Sequence, residues 1–306
     1  MRDARLFELA ESTPWAIEPR KGRVLLAVLE AHARGAIRAT AHGAQEEREG
    51  RQAARASSVT PPSNIGVLPL HGVMMPRGNF LNDSSGGLSL EGARAIFRDM
   101  LATPSIDAIV LDIDSPGGSV FSVDEFASEI RAAKKPVVAQ AWDLAASGAY
   151  YIASAAPEFV VTPSGLVGSI GVYSVHFDAS GWYEKEGVKP TIIQAGKFKT
   201  ELADVGPLSD EAKAYEQSIV DEYYTKFVHA VARGRKTTVD NVRTTFGEGR
   251  VLTSSEALKR GMVDRIGTFE ETVARLARDI SKKKSAALAS EDARRRAAQV
   301  EAESLL

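Results

Sequence analysis

The sequence predicts an α/β fold in which a mostly parallel sheet is flanked by helices. Three observations carry this. Apolar runs of strand length alternate with segments whose apolar residues recur at helical spacing, which is the rhythm of βαβ units. The run Ala108-Ile109-Val110-Leu111-Asp112-Ile113 is almost wholly apolar, as a parallel strand covered on both faces requires. Several strand-like segments end in glycine-marked turns, and open α/β sheets form their sites beyond the carboxyl ends of strands.

Taken in order, Leu6 to Ala10 reads as about two helical turns before Pro14. Pro14-Trp15-Ala16-Ile17-Glu18-Pro19 reads as extended or turning. A helix is expected from about Arg20 to Arg34, with Val24, Leu25, Val28 and Leu29 as its apolar stripe and Gly35 closing it. Residues 37–62, rich in Ala, Arg, Glu, Gln and Ser and ending in Pro61-Pro62, read as a solvated linker or arm. The main domain begins at 63. Strands are expected at 65–70, 108–113, 137–142, 158–162, in a segment ending near Phe177, and at 191–194. Helices are expected at 90–101 with Ser89 as N-cap, from about Val123 to Ala133, after Ser147, near 180–186, from Ser209 to about Arg233, from Thr253 or Ser254 to Gly261, and from Phe269. The chain thus divides into an N-terminal helical segment (1–36), the linker (37–62), a main domain (63–281) and an exposed helical or disordered tail (282–306) that opens on Lys282-Lys283-Lys284.

Composition excludes several functions. The 306 residues carry a formal net charge of −2, which gives no pull toward nucleic acid or an anionic membrane. Cysteine is absent, so disulfides, a thiol nucleophile and thiolate metal sites are excluded, and a cytoplasmic location is permitted. His32, His42, His71, His176 and His229 are scattered with no paired spacing, so neither a zinc site nor any other metal or cofactor is expected. No apolar run reaches the roughly 18 to 20 residues a membrane span needs.

The chemistry concentrates in Leu144 to Ser154, where Ser147 stands in a run of small residues just after a strand. If the chain turns there from strand into helix, Ser147 sits at a helix N-terminus with free N–H groups beside it. One turn then supplies a nucleophile and, from the Gly148 N–H, half of an oxyanion hole. Ser147 as a plain helix cap fits the same spacing. In Ser115-Pro116-Gly117-Gly118, the bare N–H of Gly118 is the candidate second donor. A serine nucleophile needs a base. His176, the one histidine of the central segment, reads as structural. A lysine that burial makes less willing to hold its charge can take the proton instead. Lys197 and Lys199 of Gly196-Lys197-Phe198-Lys199 are the candidates by position, and both also read as solvated loop residues.

Asp114 to Gly118, Ala146 to Ala153, Gly168-Ser169-Ile170-Gly171-Val172, Gly196 to Lys199 and Gly261 to Gly267 together resemble the signal peptide peptidase A family of serine peptidases, over about residues 63–280. That resemblance implies a Clp-protease/crotonase-like fold and a Ser–Lys dyad, with Ser147 as nucleophile and Lys199 as general base. It implies Gly118 and Gly148 as oxyanion donors, Ser169 as a residue that positions the lysine, and assembly into a homo-oligomer without cofactor. Glu201 and Asp204 follow Lys199, and a carboxylate close to it would hold it charged, which keeps Lys197 as the reserve base. The Pro14 to Pro19 stretch is similar to the head-maturation proteases of tailed phages, a branch that lacks a membrane anchor and cuts capsid and scaffold proteins. The expected partners are therefore protein or peptide substrates, possible capsid and scaffold proteins among them. Three other readings are a cytosolic peptide-degrading protease of the same family, a non-proteolytic crotonase-type enzyme with a carboxylate in its site, and a structural protein acting through 37–62 and the tail.

Overall fold

A computed structural model describes residues 14–22, 64–77 and 87–304. In chain order the elements are β1 (Trp15–Ile17), β2 (Ile65–His71), β3 (Met74–Met75), β4 (Leu88–Ser89), α1 (Leu90–Ala102), β5 (Ala108–Ser115), β6 (Gly117–Ser119), α2 (Val123–Ala132), β7 (Val137–Ala146), α3 (Gly148–Ser154), β8 (Glu158–Val161), β9 (Leu166–Gly168), α4 (Ser180–Lys185), α5 (Asp210–Gly234), α6 (Val239–Thr245), β10 (Val251–Thr253), α7 (Ser254–Lys259), β11 (Arg265–Ile266) and α8 (Phe269–Ser304).

The larger sheet runs β10-β9-β7-β5-β2, with β8 also beside β7 and β11 beside β8. All its pairings are parallel except β10 with β9. This is the predicted α/β class, a mostly parallel sheet flanked by helices. Strand residues alternate between two apolar layers, as period-two side chains must. Leu68, Leu70, Ile109, Leu111 and Ile113 face Phe97 of α1, Phe126 of α2, Tyr150 of α3 and Phe227 of α5. Ile65, Ala108, Val110, Val138 and Val160 face Phe269, Val273, Leu276 and Ile280 of α8. Nearly every side chain of β5 is buried, which fits its almost wholly apolar run from Ala108 to Ile113, where the one carboxylate, Asp112, is bonded by His71 (2.9 Å) and the Trp142 indole.

β7 sets up the site. Its first half pairs with β8 over Val138–Ala141 and its second half with β9 over Leu144–Ala146. A register shift against β5 falls between these halves, and the strand then delivers the chain to Ser147. A second, small sheet, β1-β6-β3-β4, lies over that end, and β1 is its one antiparallel strand.

Helix ends follow the sequence. Ser89 and Ser209 cap α1 and α5 by accepting from the N–H groups of Gly92 (3.2 Å) and Ala212 (3.1 Å). Gly261, with φ +75°, closes the segment after α7. α8 continues to Ser304, with the side chains of residues 281–296 exposed.

Two expected strands do not form. The segments ending near Phe177 and at 191–194 are irregular, and Tyr173 alone makes a bridge, to Trp15. Ile192 and Ile193 have the β-branched composition of a strand, but no strand lies beside them to complete a ladder, and both are exposed. Conversely Gly117-Gly118, expected as a turn, opens strand β6. The helix expected at 20–34 is seen as Pro19–Gly22, and its remainder lies outside the described residues, as do the segment at 6–10 and the linker 37–62.

Candidate active site

Ser147 joins β7 to the seven-residue, fully buried helix α3. Its backbone is in a region that disfavours L side chains, φ 54° and ψ −118°. Three backbone contacts hold it there. Its N–H donates to the Gly168 carbonyl at 2.7 Å, its carbonyl accepts from the Tyr151 N–H at 2.9 Å, and its Oγ donates to the Gly171 carbonyl at 3.4 Å. A sharp strand-to-helix turn carrying a serine is the geometry that aims a nucleophile out of a sheet. Here the residue is only 1% exposed.

The two predicted oxyanion donors come together. A Cβ built on Gly148 would stand 3.7 Å from the Gly118 nitrogen and 3.3 Å from the Ala16 carbonyl oxygen. A Cβ on Gly117, whose φ is +91°, would fall 2.8 Å from the Gly148 nitrogen and 2.2 Å from the same Ala16 oxygen. A Cβ on Gly118 would fall 1.9 Å from the Met74 carbonyl oxygen. Only glycine permits this backbone-on-backbone approach. Ser115 locks the turn before it: its Oγ donates to the Gly72 carbonyl at 2.6 Å and accepts from the Gly117 N–H at 3.1 Å. Sequence reasoning did not single out Ser115. Its signal is a small hydroxyl directly before Pro-Gly-Gly, the place of a side chain that bonds the backbone two residues on.

Ser169 lies in the same cluster, next to the Gly168 carbonyl that holds Ser147, and its N–H donates to Arg250 at 2.8 Å. The lysines are elsewhere. Lys197 pairs with Glu211, at 2.9 and 3.1 Å to its two oxygens, and stands 4.4 Å from the centre of the Phe198 ring. Lys199 is exposed and makes no ion pair among the described residues. Asp204, a feared partner of Lys199, is instead taken by the Tyr183 hydroxyl at 2.9 Å. Neither lysine is a hydrogen-bond partner of Ser147 within this chain. His176 bonds the Gly206 carbonyl at 3.0 Å, a structural role as expected.

The missed element is β1. Trp15, Ala16 and Ile17 are all buried and lie across the glycine turn. Glu18, the carboxylate that a crotonase-type reading would need, turns away to the Lys21 N–H (3.0 Å) and Arg20 (3.1 Å). Burial pushes its carboxyl up, and those bonds more than reverse this, so it sits below its ordinary value. The Tyr151 hydroxyl, pushed up by burial and by its bond to Asp124, stays neutral and serves packing.

No helix among the described residues is long and apolar enough to cross a membrane. A family model described as peptidase family S49 matches residues 129–283. The chloroplastic serine protease SPPA of Arabidopsis thaliana is 34% identical over 208 residues, covering 64% of this chain and 30% of that protein. Capsid assembly protease C of Escherichia phage lambda is 32% identical over 232 residues, covering 74% of this chain and 52% of that protein. A solved structure of a membrane-bound stomatin-specific protease with a substrate peptide is similar over 68% of this chain and 77% of its own, at 16% identity and TM-score 0.44. The chain spans 30% to 60% of the length of the curated relatives it matches.

Proposed function

The chain belongs to peptidase family S49, and from that premise we propose that it is a serine endopeptidase with Ser147 as nucleophile and Lys199 as general base. The observation that carries the reading is the juxtaposition of a strained, strand-end serine with the backbones of Gly117, Gly118 and Gly148, packed closely against one another and against the Ala16 carbonyl oxygen. Ser147 Oγ attacks a peptide carbonyl, and its proton passes to the lysine amine. The oxygen becomes an oxyanion held by the two N–H groups. The lysine returns the proton to the departing amine, and water then releases the acyl group from the serine.

In this reading the working site is completed in a homo-oligomer. Exposed apolar side chains support it: Phe177, Trp182, Val188, Ile192, Ile193, Phe198 and Leu202 cluster in the segment that carries Lys199, with Ile193 94% exposed. A contact that buries this segment would also desolvate Lys199 and favour its neutral, basic form. The substrate proposal follows the phage lambda relative: processing of capsid or scaffold proteins during head maturation.

The test is casein cleavage by the parent chain, Ser147→Ala, Lys199→Ala and Lys197→Ala, with native mass measured on each. Loss in the first two variants and retention in the third supports the dyad. Equal cleavage by parent and Ser147→Ala overturns the nucleophile, and retention in Lys199→Ala with loss in Lys197→Ala moves the base. Co-expression with a capsid and scaffold pair, read as discrete shortened products, tests the substrate class.

A further inference from the structure

β1 lies antiparallel beside β6, with its middle carbonyl against the glycine backbone next to Ser147. Glu18 N–H donates to the Pro116 carbonyl at 2.8 Å and Val120 N–H to the Pro14 carbonyl at 3.3 Å. Directly bonded pairs alternate along an antiparallel ladder, so the pair midway between these two, Ala16 with Gly118, is a bonded one. The Gly118 N–H therefore points at the Ala16 carbonyl oxygen, the same oxygen that stands against Gly148 and Gly117. The opposite edge of β1 is held too: Trp15 exchanges N–H and carbonyl with Tyr173 at 2.9 and 3.1 Å. A short strand gripped on both edges, with one carbonyl in the oxyanion hole, is how a protease holds an extended peptide.

The side chains agree. Ala16 lies on the wall of a cavity of about 300 Å³ lined in part by Val120, Phe121, Tyr151, Val172 and Phe227, a side-chain pocket beside the carbonyl. Trp15 and Ile17, pointing the other way, pack on Met75, Val73 and Tyr173.

We infer that residues 14–18 are an internal substrate of this cleft, blocking it and presenting the Ala16–Ile17 bond to Ser147. The inference rests on Ser147 being the nucleophile proposed above. When the base is in place, Ser147 Oγ bonds to the Ala16 carbonyl carbon, and the bond to the Ile17 nitrogen breaks. That nitrogen leaves as an amine with the proton relayed from the serine. One water then frees the Ala16 carboxylate, so residues 1–16 depart and Ile17 becomes the new N-terminus. Before that cut the segment competes with any other peptide for the groove.

Two measurements test this on the full chain. Intact-mass analysis and N-terminal sequencing follow the purified parent and Ser147→Ala over time, with casein cleavage run alongside. A species beginning at Ile17 in the parent and absent from Ser147→Ala is the expected result. Casein cleavage without that species overturns self-cleavage. Absence of both is a failure of the proposed activity, and occupancy is then decided separately. For that, a fluorescent Pro-Trp-Ala-Ile-Glu-Pro peptide is titrated into Ser147→Ala and into Ser147→Ala carrying Trp15→Asp and Ile17→Asp, two buried charges that expel the strand. Because a tethered segment competes at millimolar effective concentration, the expelled form should bind on the order of tenfold or more tightly. Equal binding by both, in variants with a cooperative melt, overturns the occupancy. Ile17→Asp alone serves if the double change fails to fold.

Discussion

Gly117→Ala is the sharpest test of a site built from backbone against backbone. Two costs add. The residue has φ +91°, a region that charges an L side chain roughly 1–2 kcal/mol. The new methyl would stand 2.2 Å from the Ala16 oxygen, 2.8 Å from the Gly148 nitrogen and 2.9 Å from the Ala146 oxygen. None of these is the end of a flexible side chain, and overpacking of this kind costs about 1–3 kcal/mol. The sum is about 2–5 kcal/mol. At roughly 2–4 °C per kcal/mol for a chain of this order of size, the melting midpoint should fall by about 4–20 °C. The assay is thermal unfolding with casein cleavage beside it. The two costs separate by partner. If only β1 retreats, the fall is at the low end of the range and the peptide-binding groove opens. If the Gly148 and Ala146 backbones move, the oxyanion hole is distorted and cleavage is lost. A midpoint within about 1 °C of the parent, with unchanged cleavage, would refute the close approach on which the site depends.

Three further outcomes are expected. Ser147→Gly should raise the melting midpoint while abolishing cleavage, because relief of about 1–3 kcal/mol of backbone strain exceeds the 0.5–1 kcal/mol entropy penalty of glycine; a lower midpoint would count against the strain. Phe227→Ala should cost about 3–5 kcal/mol in urea unfolding, since this buried ring lies 4.9 Å from the ring of Tyr151 on the serine's own helix. Asp264→Asn tests acid stability. Burial raises this carboxyl, but the Arg235 guanidinium (2.7 and 2.9 Å) and the Phe159 N–H (2.7 Å) outweigh it, so the folded value lies below the ordinary 3.8. The folded state thus holds fewer protons than the unfolded one, and stability is full above about pH 4 and lost as pH falls through the lowered value. The 39% exposure of the side chain screens the pair, so the parent should exceed the variant by about 1 kcal/mol at pH 7, a gap that closes toward pH 3. A gap independent of pH would show that packing and not charge is responsible.

The sequence made the parallel sheet legible because its signals are local. β5 opens on the apolar run Ala108 to Leu111, and Ser89 and Ser209 announce helix starts by a single hydroxyl at the right place. The Ser147-Gly148 turn is legible for the same reason, since glycine directly after a strand-end serine marks a backbone that needs unusual freedom. What failed is non-local. Ile192 and Ile193 carry strand-like side chains, yet a strand exists only beside another, and no residue in that stretch records whether one is there. Gly117-Gly118 reads as a turn until β1 and β3 supply neighbours on its two sides. Trp15 to Ile17 reads as extended or turning, and its place as a strand beside Gly117 to Ser119 depends on pairing partners about 100 residues away.

These differences in legibility track a division of labour within the site. In the proposed site everything that would hold a carbonyl is backbone: the N–H groups of Gly118 and Gly148, on β6 and α3, with the Ser115 bridge to Gly72 fixing the turn before them. The proposed base sits on an exposed segment outside the sheet. Changes near the hole must therefore disturb stability and turnover together, because the same close approaches serve both. On the proposed dyad, changes at Lys199 should disturb turnover alone, since its side chain contributes no ion pair to the described fold. On that proposal, a fold that binds the peptide with its sheet and borrows its base from a loop would be complete, and even loaded with its own strand, before it is active. On the proposed dyad, proton transfer would wait on the contact that brings the lysine in, so the strained Ser147 turn would be held without an untimely cut.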